Sequence, residues 1–214
     1  MLFDFLYSYI SWQTFLIGII AIVIALTLHE FAHAFSAKFF GDDTAQRAGR
    51  LTVNPIAHID PIGLLLVATV GFGYAKPVPT NPDNFTTKIA SPVIAAAGPL
   101  MNIVLAFVVY NIWQAFLGSS VDTLFGFYQS KFFYYFVLFN IMLFFFNLIP
   151  LGALDGHYIA EAVLPTPLNK HYKYWNDKIG NYLLLGLIVL SIFGYPIFQK
   201  LKPIAERLMV DMQL

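Results

Sequence analysis

Stretches free of Asp, Glu, Lys and Arg divide the chain into long apolar runs joined by short polar connectors. About 20 apolar residues are needed to cross the hydrocarbon core of a bilayer. Three charge-free runs reach that length, 89–121, 132–154 and 179–199, and a further run from roughly Trp12 to Ala37 is interrupted only by Glu30. Each predicts a spanning helix, because in lipid a helix satisfies its backbone hydrogen bonds within the segment. A fifth run, Ile62 to Ala75, has 14 residues, with Gly63, Gly71 and Gly73 inside it and Pro61 and Pro77 around it. That length predicts a re-entrant or interfacial element rather than a crossing. Its β-branched and glycine-containing sequence leaves a short helix and a strand or β-hairpin both open.

The connectors are irregular. Residues 75–88 hold three prolines, which forbid a helix, and 41–61 is polar and ends in Asn54-Pro55-Ile56-Ala57-His58-Ile59-Asp60-Pro61. Neither connector is long enough for a separate soluble domain. The expected fold class is all-α integral membrane: one polytopic helical bundle of four to five spans over residues 1–214, with a short re-entrant or β-hairpin element. The motif-bearing core runs from about 15 to 160, and an extra C-terminal span covers about 179–199. Met1 to Phe5 lacks the basic residues of a secretory signal, so the first run is expected to be a retained span. If 62–75 dips in and returns, eight Lys and Arg fall on one side of the membrane and four on the other. Excess positive charge marks the cytoplasmic side, so this arrangement puts the 38–88 connectors in the cytoplasm. If 62–75 crosses, the division becomes seven against five and decides nothing.

Composition agrees with a membrane protein: 58% of the 214 residues are hydrophobic, 11% are charged, and the mean hydropathy is +0.69. Soluble domains carry about a quarter charged residues. The formal net charge is zero, which argues against nucleic acid as a partner. No cysteine is present, so a metal site would have to be built from His, Asp and Glu.

Into the first apolar run the chain places His29-Glu30-Phe31-Ala32-His33. On a helix His29 and His33 stand one turn apart on one face, and imidazoles so spaced can share one Zn²⁺ with the intervening Glu30 as general base. An ionisable side chain inside a membrane costs about 2.5 kcal/mol or more, so three together call for a partner or a task. A catalytic zinc usually takes three protein ligands. Asp155 is the best third ligand, because it closes the charge-free run 132–154 just after Pro150 and Gly152, which interrupt the helix there. A broken helix at membrane depth is tolerated where it is buried or lines a wet cavity. His58, His157 and His171 are rivals, all of them among polar residues at segment ends.

These pieces resemble the site-2 proteases, a family of intramembrane zinc metalloproteases, in the small form without a PDZ domain. The resemblance rests on the HExxH at 29–33, on Asn147 to Gly156, and on Asn54-Pro55 with His58 to Pro61 and Gly98-Pro99-Leu100-Met101-Asn102 between them. It implies one Zn²⁺ per chain held by His29, His33 and Asp155, with Glu30 as catalytic acid and base and Asn147 positioning substrate or stabilising an oxyanion. Asn54, Asn102 and Gly71 are the candidate substrate contacts. Asn102 could line the cavity or make an interhelical hydrogen bond, and Gly71 belongs to the run 62–71 that could pair with an unwound substrate as a strand edge. The small residues Ala95 to Gly98 read as helix packing, and the Phe-rich run from Phe132 to Phe136 reads as lipid-facing.

The implied activity is hydrolysis of a peptide bond in or near a transmembrane segment of a membrane-protein substrate, such as a tethered regulator or a signal-peptide remnant. The implied location is a multi-pass position in the cell membrane, with the active site toward the cytoplasm. Two other classes compete: a metal transporter or zinc-binding membrane protein, and a silent scaffold that keeps the motif. A transporter would spread polar residues along a path through several spans, whereas here they gather near Glu30 and Asp155.

Overall fold

The computed structural model describes residues 11–70, 74–117, 124–193, 195 and 200–212, which fold into helices and connecting loops with no strand among them. Helix α1 (Trp12–Phe39) starts at Ser11, whose Oγ accepts from the Thr14 N–H at 3.3 Å, and ends with Lys38 in its last turn. A short α2 (Thr44–Arg47) and a 3₁₀ turn (Pro55–Ala57) lead to α3 (Pro61–Val70). The long helices α4 (Ala90–Leu117) and α5 (Leu124–Asn147) follow. Among the described residues, α1, α4 and α5 are the helices long and apolar enough to cross a membrane.

These three pack against one another in pairs and enclose the polar centre. The main apolar core joins Ala106 and Tyr110 of α4 to Val137, Leu138 and Ile141 of α5, and α9 (Leu201–Asp211) closes it with Ala205 and Met209. The aromatic run of α5 therefore packs within the protein more than the expected lipid-facing reading allows. Phe136 is buried, Phe133 stacks on Trp113, and the Tyr134 hydroxyl donates to Glu206 Oε1 at 2.6 Å.

The run that left strand and helix open is helical over Pro61–Val70. The strand and β-hairpin readings are corrected over 62–70 by local chemistry. The Asp60 Oδ1 accepts from the Ile62 and Gly63 amides at 2.9 and 3.0 Å, its carbonyl accepts from Leu64, and Pro61 suits a first helical position. The chain comes back beside the start of α3, where a Cβ on Gly63 would run into the Tyr74 carbonyl. Gly71 lies outside the described residues.

After α5 the chain passes through an irregular segment to α6 (Asp155–Val163). It continues as α7 (Leu168–Trp175), a π turn over Asn176–Gly180, and α8 (Asn181–Ile192). By itself α8 is about 18 Å long, shorter than the bilayer core.

Candidate metal centre

His29 and His33 lie on the buried face of α1 and meet α4 running antiparallel to it. On α4 the residues at one-turn intervals Ile94, Gly98 and Asn102 form the facing stripe. His33 Nδ1 is 2.7 Å from the Ile94 carbonyl, and His29 Nδ1 is 2.6 Å from Asn102 Oδ1. A carbonyl can only accept, so His33 donates from Nδ1. Asn102 turns its Nδ2 to Asn140 Oδ1 at 2.8 Å and toward the Ala25 carbonyl at 3.4 Å, which leaves its oxygen to accept from His29 Nδ1. Asn140 passes the chain on by donating to the Phe136 carbonyl at 2.8 Å, so α1, α4 and α5 are joined by one buried amide network.

In the neutral rings, with both Nδ1 atoms donating, both Nε2 atoms carry lone pairs, and they stand 3.0 Å apart. Gly98 makes room for them, since a Cβ there would sit 2.6 Å from His29 Nε2 and closer still to His33 Nε2. The third atom at this point is Asp155 Oδ2, at 3.1 Å from His29 Nε2 and 3.3 Å from His33 Nε2. That oxygen is buried and no hydrogen-bond donor is directed at it. The segment that delivers it folds tightly, because Gly156 lies against the Leu148 carbonyl where no Cβ would fit.

Three electron-rich atoms so close repel one another unless a cation lies between them. Tetrahedral zinc with bonds of about 2.0–2.1 Å places its donors about 3.3 Å apart, so the His29, His33 and Asp155 atoms have the spacing and chemistry of a zinc ligand set. The hydrogen bonds from Nδ1 to Asn102 and Ile94 orient the rings for such a metal.

Glu30, next to His29 and buried, accepts from the Val78 N–H at Oε2 at 3.0 Å. The loop carrying Val78 is fastened by Arg50, whose guanidinium donates to the Lys76 and Pro77 carbonyls and lies 3.4 Å from His58 Nδ1. His58 in turn donates from Nε2 to the Thr52 carbonyl at 2.8 Å. Burial works against the Arg50 charge, and the nearby Glu30 carboxylate offsets part of that.

Of the residues singled out from sequence, His29, His33 and Asp155 come together, with Glu30 beside His29. Asn102 is fully buried behind the His29 ring, where its Oδ1 makes an interhelical hydrogen bond with His29 Nδ1. Asn54 caps the 3₁₀ turn by accepting from the Ile56 amide at 3.1 Å, and the Asn147 amide donates to the Leu143 carbonyl one turn back at 3.1 Å. The rival histidines are engaged elsewhere: His58 with Arg50, His157 with the Tyr172 hydroxyl, and His171 with the Trp175 indole. Asn140, Arg50 and Val78 were not singled out from sequence, and Gly98 was read as helix packing. The Gly98 and Asn102 spacing of one turn was visible, but the partner across the helix pair was not.

The sequence of residues 17–190 matches the family model for peptidase family M50. The candidate zinc metalloprotease YwhC of Bacillus subtilis is 40% identical over 92% of this chain and 90% of its own length. The candidate zinc metalloprotease Rip2 of Mycolicibacterium smegmatis is 31% identical over 69% of this chain and 59% of its own. Rip2 of Mycobacterium tuberculosis, also a candidate zinc metalloprotease, is 28% identical over 66% of this chain. No solved structure matches significantly. With a family model covering most of its length, the chain belongs to peptidase family M50, the site-2 protease family of zinc metalloproteases.

Proposed function

We propose that this protein is a single-domain intramembrane zinc endopeptidase that cleaves a peptide bond in or near a transmembrane segment of a membrane-protein substrate. The observation that carries the reading is the convergence of His29 Nε2, His33 Nε2 and the orphaned Asp155 Oδ2 beside Glu30, inside a bundle of membrane-length helices. His29, His33 and Asp155 would hold the zinc ion, which when bound lowers the pKa of its water to about 7. Glu30 takes the proton of the attacking water on a carboxylate oxygen and returns it to the leaving amine. The Val78 N–H at Oε2 orients that carboxylate. Asn147, at the end of α5, is the candidate for steadying the substrate carbonyl once its amide leaves Leu143.

In this reading α3 enters the membrane about 15 Å deep and returns, consistent with Tyr74 lying beside Gly63 near its start. The helical run that includes α8 makes a fourth crossing. The eight-against-four division of Lys and Arg that goes with a re-entrant α3 supports a site toward the cytoplasm. A substrate helix must unwind before attack, because its carbonyls are hydrogen-bonded internally.

Cleavage of a single-span reporter by wild type and Glu30→Gln, both purified in lipid, tests the proposal. Glu30→Gln should lose at least a hundredfold in turnover while keeping its zinc. Unchanged cleavage would refute the assigned base, and loss of zinc with Glu30→Gln would favour a transporter in which Glu30 is a ligand.

A further inference from the structure

The irregular segment that delivers Asp155 hangs from the C-terminal helices. Asn176, 8% exposed, meets Gly152 with both halves of its amide. The Gly152 N–H donates to Asn176 Oδ1 at 2.7 Å, and Asn176 Nδ2 donates to the Gly152 carbonyl at 3.0 Å. A side-chain amide thus takes the place of a second strand and pairs both the N–H and the C=O of one residue.

The surroundings are shaped to this contact. Gly152 has φ +61°, in the left-handed region, and a Cβ there would lie 2.9 Å from Asn181 Oδ1 and 3.2 Å from the Gly180 carbonyl. At Gly180 a Cβ would run into the Asn176 amide itself. The π turn over 176–180 begins at Asn176, and such turns recur at functional sites. On either side of Gly152 the same helical run holds the segment again. The Tyr172 hydroxyl donates to the Pro150 carbonyl at 3.2 Å, and Leu154 packs in an apolar cluster with Leu184, Leu187 and Ile188. Asp155 follows Leu154 directly.

We propose that Asn176 is a positioning residue for the third metal ligand. By fixing Gly152 it sets where Asp155 starts and therefore how its carboxylate reaches the His29 and His33 pair. The last helical run thereby acquires a task in metal binding beyond filling the bilayer. The inference rests on the reading of Asp155 as a ligand.

The test uses the full-length protein purified in detergent, with zinc affinity read by chelator competition and coordination read from the visible absorption of the cobalt(II)-loaded form. Asn176→Ala should weaken zinc binding 10–100-fold, the range seen when an outer partner of a ligand is removed. The cobalt bands should lose intensity as four-coordination is lost. Asn176→Asp, which keeps size and the acceptor but not the donor, should fall between and stands in should the alanine variant not fold. In an Asp155→Asn background, Asn176→Ala should add less than a further twofold, because both changes act through one ligand.

Unchanged affinity and spectrum in Asn176→Ala and Asn176→Asp would overturn the proposal. So would a full additional loss in the Asp155→Asn background, which marks a general structural defect. An Asp155→Asn protein that binds zinc like the parent would sink the ligand assignment, and the proposal with it.

Discussion

His29 and Asn102 meet across two antiparallel helices through a 2.6 Å contact between Nδ1 and Oδ1, and that contact decides which ring nitrogen faces His33 and Asp155. Asn102 can fill this role because Asn140 and Ala25 occupy its donor side. Asn102→Ala leaves His29 Nδ1 and Asn140 Oδ1 without these partners in a buried setting. Zinc affinity should fall 10–100-fold, and stability by about 1–3 kcal/mol. Chelator competition and thermal unfolding of the zinc-free protein check the two separately.

Gly98→Ala makes the opposite kind of change, adding one methyl group where the His29 and His33 Nε2 atoms need space. Helix propensity alone would favour alanine by about 1 kcal/mol. The expected outcome is loss of bound zinc and of cleavage, with helical content retained by circular dichroism. Full zinc occupancy in this variant would contradict the packing described for the centre.

Arg50→Ala should act on turnover more than on zinc. It frees the Lys76 and Pro77 carbonyls and so loosens the loop whose Val78 amide holds Glu30. A carboxylate misplaced by about 1 Å costs on the order of a hundredfold in rate. The check is kcat on the reporter substrate alongside zinc content, with the first falling and the second preserved.

Asp42 gives the acid limb of stability. Burial pushes its carboxyl up, but hydrogen bonds from the Thr44 hydroxyl, the Asn84 amide and the Asn81 and Thr44 backbone N–H groups outweigh that and hold it below its ordinary value. A depressed folded value means the contribution is fully present above the unfolded value of 3.8 and is lost as pH falls through the folded one. Wild type should therefore lose stability on acidification below about pH 4. Asp42→Asn should start about 2 kcal/mol lower at neutral pH and show a flatter acid limb in denaturant titrations.

Much of this centre was legible in the chain because its chemistry is local. His29 and His33 share a face by helical periodicity alone, and Asp155 stands out as the acid that closes an apolar run broken by Pro150 and Gly152. The parts that stayed hidden depend on pairing between distant segments. Asn102 reads equally as a cavity residue or a helix contact until the register of α4 against α1 is known, and Gly98 reads as ordinary small-residue packing for the same reason. Arg50 fastens the loop at 76–78 whose Val78 amide holds Glu30, and Asn176 pairs with Gly152, three residues before Asp155. At 62–70 the apolar run carries no periodicity that separates helix from strand, and the Asp60 side chain, capping two amides, tips it to helix.

The most direct measurement is zinc-edge X-ray absorption on the purified protein, compared with His33→Ala and Asp155→Asn. The account predicts one zinc per chain, bound by two imidazole nitrogens and oxygen donors at about 2.0–2.2 Å. One imidazole should be lost in His33→Ala, and the oxygen shell should change in Asp155→Asn. A protein that cleaves its substrate without zinc, or a zinc shell that neither substitution alters, would contradict it.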